Sequence, residues 1–104
     1  MKTLEKKVYS FEELKEKLIP VFKQYQLPKA SVFGSYARGK AKPASDVDLL
    51  LLFDETFNLE KYLNFENAIK RSLNKKVEIV EYDGLIDLIR DEVMKEAIEI
   101  YCHT

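Results

Sequence analysis

Asp46 and Asp48 are separated by one valine and run directly into the leucines at 49–52. Carboxylates so placed suit hard divalent cations such as Mg²⁺, which take carboxylate oxygens and complete their shell with water and substrate phosphates. Two such ions about 3.5–4 Å apart serve in-line phosphoryl transfer. Upstream lies Gly34-Ser35. A glycine there lets the backbone approach a ligand closely, and a serine at a helix start can donate to phosphate oxygens with the helix dipole behind it. Arg38, Lys40 and Lys42 add positive charge. Donors for a phosphate tail beside acids for its ions match what a metal-bound triphosphate needs. Each part also has an ordinary use: Gly-Ser as a helix cap, Asp-x-Asp as a solvated strand start, the basic residues as a solvated loop. The ordering of all three in one short span, with the acids on an otherwise apolar strand, favours the chemistry.

The elements that must hold these groups follow from periodicity. Side chains alternate along a strand, so a strand over 46–53 turns Asp46 and Asp48 to one face, about 6–7 Å apart, with the leucine end buried. Two like charges that close repel unless a cation lies between them. A short apolar strand over 30–33 enters the Gly34-Ser35 turn, and a short helix over 36–38 stops at Gly39. Ahead of these, Ser10 and Glu13 form a capping-box pattern before Leu14, Leu18, Val21, Phe22 and Tyr25, with a kink or break expected at Pro20. Beyond them, Leu59, Tyr62, Leu63, Ile69 and Leu73 mark an amphipathic helix that Asn74 terminates, and 77–82 reads as a third strand. From Leu85 the apolar residues recur at helical spacing to Tyr101, which predicts a helix to the chain end. The expected fold is α/β (α+β): a small mixed sheet flanked by helices, in a single domain over 1–104.

Composition narrows the function. The chain has 104 residues, 17 Lys plus Arg against 18 Asp plus Glu, and a formal charge of -1. That balance provides no global basic surface for a duplex, so nucleic acid is not the expected direct substrate. No apolar run approaches the ~20 residues that cross a bilayer, and MKTLEKKVYS lacks a signal-peptide core, which points to a soluble cytoplasmic protein. The one cysteine, Cys102, excludes an internal disulfide and reads as a free thiol near a frayed end; His103 reads as disordered.

The run Gly34-Ser35-Tyr36-Ala37-Arg38-Gly39 followed by Ser45-Asp46-Val47-Asp48-Leu49 resembles the signature of the minimal nucleotidyltransferases of the DNA polymerase beta superfamily. The resemblance extends over nearly the whole chain, to a third carboxylate strand and a Glu-Ala pair in the last helix, here Glu96-Ala97. It implies the polymerase beta-like catalytic core fold. It implies that Gly34, Ser35, Arg38 and Ser45 belong to the nucleotide-binding set, and that Asp46 and Asp48 bind two Mg²⁺ ions. The third acid of the pattern falls on Glu78, where the family usually has Asp, so the carboxylate stands one C–C bond further from the backbone.

The same resemblance implies Mg²⁺-dependent transfer of AMP from ATP to a hydroxyl acceptor. Stand-alone members commonly act as the antitoxin of a toxin-antitoxin pair, adenylylating a tyrosine of an all-helical HEPN-domain toxin. Two alternatives stay open: a binding module that neutralises a helical partner by contact with little catalysis, and a subunit of a small-molecule, aminoglycoside-type nucleotidyltransferase. A homo- or hetero-oligomer is compatible with either.

Overall fold

The computed structural model describes residues 7–85 and 87–103. Helix α1, Phe11–Gln24, begins with the expected reciprocal cap: the Glu13 amide donates to Ser10 Oγ at 3.1 Å, and the Ser10 amide donates to Glu13 Oε1 at 3.0 Å. Leu14, Leu18 and Phe22 form its buried stripe. The break expected at Pro20 does not occur. Pro20 and Glu16, whose carbonyl loses its donor there, are both exposed, so the orphaned acceptor is open to solvent and the helix continues.

Strand β1, Lys29–Phe33, leads into the short helix α2, Gly34–Ala37, and a loop returns the chain as β2, Val47–Leu52. Helix α3, Leu59–Leu73, carries it to β3, Val77–Glu81. A 3₁₀ turn, Tyr82–Gly84, precedes α4, Asp87–Glu96, and the chain closes with β4, Ile98–Cys102. The sheet order is β3-β2-β1-β4. β1 pairs antiparallel with both β2 and β4, while β2 and β3 are parallel with α3 as the crossover. The result is the mixed, helix-flanked sheet expected from the sequence.

The strand over 98–102 corrects the expectation of a helix to the chain end. Ala97, Ile100 and Tyr101 keep helical spacing while Ile98 and Ile100 alternate as in a strand, and β-branched and aromatic residues suit a strand. The tertiary demand decides: without β4 the outer side of β1 would leave its hydrogen-bonding groups unpaired. Ile100 is buried, and Tyr101 packs on Phe22 with ring centroids 5.6 Å apart, a core use reached from a strand. The end is tied down rather than frayed, since the His103 amide donates to the Pro28 carbonyl at 2.9 Å. Cys102 is exposed on β4.

The core lies between the sheet and the pair α1 and α3. Val47, Leu49 and Leu51 contribute one face of β2 to it, and Phe65 sits at its centre beside Phe22, Tyr25, Phe53 and Phe57. Phe65 turns the buried stripe of α3 toward Ile69 and Leu73, leaving Leu59 and Leu63 exposed where the sequence pattern had placed them inside. Asn74 ends α3 in the left-handed conformation, as predicted. The opposite face of β2 carries Asp48 and the fully buried Leu50; beside Leu50, Ser31 on β1 shares a hydrogen bond with the Tyr82 hydroxyl at 2.7 Å. Among the described residues, no helix is long and apolar enough to cross a membrane.

Candidate active site

Register assembles the site along one end of the sheet. Asp48 on β2 lies opposite Glu78 on β3 and opposite Phe33 on β1, one residue before Gly34. On the other side of β1, Val32 pairs with Ile98. Two steps further in that antiparallel pair bring Gly34 to Glu96. The row across the sheet is therefore Glu78, Asp48 and Phe33, with Gly34 one residue further on and Glu96 beside it.

The acids on this row repel one another. Asp48 is half-buried, and its carboxyl is pushed up from 3.8 to about 6, first by burial, then by the Glu78 charge, a hydrogen bond shared with Glu78, and the Asp46 charge; Arg38 opposes the shift weakly. Below about pH 6 the Asp48 carboxyl keeps its proton, which spares it the charge beside Glu78. Asp46 differs from the expectation in one respect. β2 begins at Val47, so Asp46 is an exposed residue just ahead of the strand rather than its first member. The sequence reading placed it inside because alternation continues through it; the pairing with β3 begins at Val47, whose amide donates to the Lys76 carbonyl at 3.0 Å.

The turn is shaped by the acid behind it. Gly34 is buried with φ +72°, and a Cβ added there would overlap the Asp48 carboxylate, lying 3.0 Å from its Cγ and 3.2 Å from its Cβ. Any other residue would collide with the acid and also adopt a left-handed backbone. Ser35 follows, half-buried, and its carbonyl accepts the Lys40 amide at 2.9 Å, which closes the turn around α2. Gly39, at φ +71°, ends α2 as predicted.

Glu96 is the residue whose role the sequence reading missed. Its Oε1 accepts the Gly34 amide at 2.5 Å, and Arg38 Nη1 donates to both carboxylate oxygens at 3.1 Å. The guanidinium has five N–H donors in a planar fork. Glu96 engages Nη1 alone, so Nη2 and Nε stay directed elsewhere. The Glu-Ala pair marked the position, but only the β1–β4 register reveals what the carboxylate touches. Ser45 has a structural job as well: its Oγ accepts the Lys42 amide at 2.8 Å while its own amide donates to the Lys42 carbonyl at 2.9 Å. Lys75, buried, ties the same loop by donating to the Pro43 carbonyl at 3.0 Å. Lys40 and Lys42 are exposed.

The sequence profile of the family described as "Polymerase beta, Nucleotidyltransferase" matches residues 16–104. This chain belongs to that family. The nucleotidyltransferase is 32% identical over 91 residues to a candidate protein adenylyltransferase of Methanocaldococcus jannaschii, an alignment spanning 88% of this chain and 98% of the relative. A solved structure of a candidate minimal nucleotidyltransferase superposes with a TM-score of 0.71 at 33% identity, covering 86% of this chain and 95% of that one. A complex of a tri-AMPylated Shewanella oneidensis HEPN toxin with its MNT antitoxin gives a TM-score of 0.65 at 16% identity, over 89% of this chain and 73% of that one, a likeness of fold.

The donor set of this nucleotidyltransferase suits Mg²⁺ in kind, because Asp46, Asp48 and Glu78 offer hard carboxylate oxygens and the raised Asp48 carboxyl marks a place where positive charge is wanted. Among the described residues, no three carboxylate, histidine or cysteine side chains already converge closely enough to grip an ion. Glu78 acts on Asp48 through its charge and a shared hydrogen bond, and Asp46 acts on Asp48 through its charge.

Proposed function

We propose that this nucleotidyltransferase transfers AMP from ATP to a tyrosine hydroxyl of a HEPN-domain toxin and so serves as the antitoxin of the pair. The observation that carries this reading is the packing of the Gly34 turn directly on Asp48, with Glu78 against Asp48 on the other side. That packing puts a phosphate-holding turn and an acid pair in one place. The homology to protein adenylyltransferases supports a protein acceptor, and the shared fold with the MNT antitoxin supports the HEPN partner.

In this reading Gly34, Ser35, Ser45 and the free edge of the Arg38 guanidinium hold the β- and γ-phosphates, and Arg38 offsets charge that builds on the departing oxygens. Asp46, Asp48 and Glu78 would hold two Mg²⁺ ions, which when bound would supply activation of the nucleophile and stabilisation of the leaving group. The tyrosine oxygen bonds to the α-phosphorus as the bond to the pyrophosphate oxygen breaks. Glu78, across Asp48 from the turn, would take the hydroxyl proton.

The test is transfer itself. The protein, α-labelled ATP, Mg²⁺ and the helical protein encoded by a neighbouring reading frame are mixed, and label on that protein is measured. Label that disappears with Asp46→Asn and with Asp48→Asn is expected. A tight complex without label, unchanged by either substitution, would replace this reading with neutralisation by contact.

A further inference from the structure

A cavity of 670 Å³ opens beside Asp46, lined by Asn67, Lys70, Arg71 and Asn74 from α3 and its cap, and by Lys75 and Lys76 ahead of β3. Four cations surround one carboxylate in a chain whose formal charge is -1. Lys70 and Arg71 stand in the last turn of α3, where positive charge offsets the helix dipole, but Lys75 and Lys76 lie past the cap, so that compensation does not account for them. Lys70 is shared with Glu66 at 3.5 Å, and Lys75 is engaged with the Pro43 carbonyl. Arg71 and Lys76 are exposed and contribute the outward-facing charge.

Position decides what the cavity is for. Its Lys76 wall is hydrogen-bonded to the start of β2 and leads along β3 to Glu78, so it lies on the β3 side of the acids. The Gly34-Ser35 turn lies on their β1 side. Asp46 is the acid in its lining and no residue of the turn is, so a molecule in the cavity meets Asp46 from the side away from the turn, the side left for the acceptor when the turn holds the nucleotide tail. No aromatic ring is among the lining residues, so the surface has nothing on which bases would stack.

We propose that this cavity binds an acidic peptide segment of the protein acceptor, flanking the hydroxyl that is modified. The proposal rests on the reading that the Gly34-Ser35 turn holds the triphosphate. Charge at the cavity then sets acceptor affinity and leaves nucleotide affinity alone.

The experiment measures both affinities without requiring turnover. Fluorescence anisotropy follows a fluorescein-labelled peptide Glu-Glu-Glu-Tyr-Glu-Glu, its Gln-for-Glu analogue, and a single-stranded oligonucleotide of matched charge; calorimetry follows AMP-PNP with Mg²⁺. The acidic peptide is expected to bind at least tenfold tighter than the neutral one and to stay bound when AMP-PNP is added. Arg71→Glu combined with Lys76→Glu should weaken it by roughly tenfold or more, with nucleotide affinity within twofold of wild type. Equal binding of the two peptides, no peptide binding, or an unaffected double variant overturns the proposal. Displacement by AMP-PNP assigns the cavity to the nucleotide, and tighter binding of the oligonucleotide assigns it to nucleic acid; either outcome also overturns it. Failure of AMP-PNP itself to bind refutes the underlying nucleotide reading and is seen separately in the calorimetry.

Discussion

Asp48 is expected to make the free protein less stable in neutral solution than it needs to be. Its carboxyl is raised from 3.8 to about 6. Between those values the folded chain keeps a proton that the unfolded chain has released, so stability is highest at the acid end of the window and falls as pH climbs through it. Above about pH 6 the full penalty applies. At ~1.4 kcal/mol per unit, the rise amounts to about 3 kcal/mol, and solvent screening of a partly exposed group brings this to about 2 kcal/mol. Asp48→Asn retains the shape and can donate its amide to Glu78, yet never carries the charge. Urea unfolding of both proteins should therefore give equal stability near pH 4 and a variant about 2 kcal/mol more stable at pH 8, with a melting point roughly 10 °C higher. A stability difference that stays constant from pH 4 to 8 would show that the acids on this row do not strain one another and would refute the account of the site.

If the same repulsion is what Mg²⁺ relieves, millimolar Mg²⁺ at pH 8 should raise the melting temperature of the wild type and leave that of Asp48→Asn unmoved in a thermal scan. Gly34→Ala combines a left-handed alanine with an overlap on Asp48; calorimetry should show loss of AMP-PNP binding, and denaturation a cost of about 2 kcal/mol or more. Glu96→Ala frees Arg38 and leaves the Gly34 amide without its acceptor, so KM for ATP should rise roughly tenfold while kcat changes less, and Glu96→Gln, which keeps an acceptor for the amide, should fall between.

Much of the site was legible because its parts are local. Gly34, Ser35 and Arg38 share one turn, and Asp46 and Asp48 share one strand entry, so spacing alone brings them near one another. Glu78 came from the family resemblance alone, and the parallel pairing of β2 with β3 is what sets it opposite Asp48. Glu96 was not legible, and the cause is a single ambiguity. Residues 98–102 fit a helix as well as a strand by their apolar pattern, and a helix there would carry Glu96 away from the turn. Pairing of β4 with β1, a long-range contact, chooses the strand and thereby delivers Glu96 to Gly34. Pro20 was misjudged for a related reason: the effect of a proline in a helix depends on whether the orphaned carbonyl faces water, which only packing decides.

The acids of the row are not supported alike. Asp48 belongs to an inner strand, hydrogen-bonded to neighbours on both sides, whereas Glu78 belongs to β3 at the sheet's edge. A backbone held on one flank can give way by a fraction of an ångström, so an extra methylene is absorbed more readily at 78 than at 48, where Gly34 already presses on the carboxylate. The site thus divides into a position closed to sequence drift and one open to it. A glutamate at 78 is a residue the architecture accommodates, and a glutamate in place of Asp48 is one it would reject.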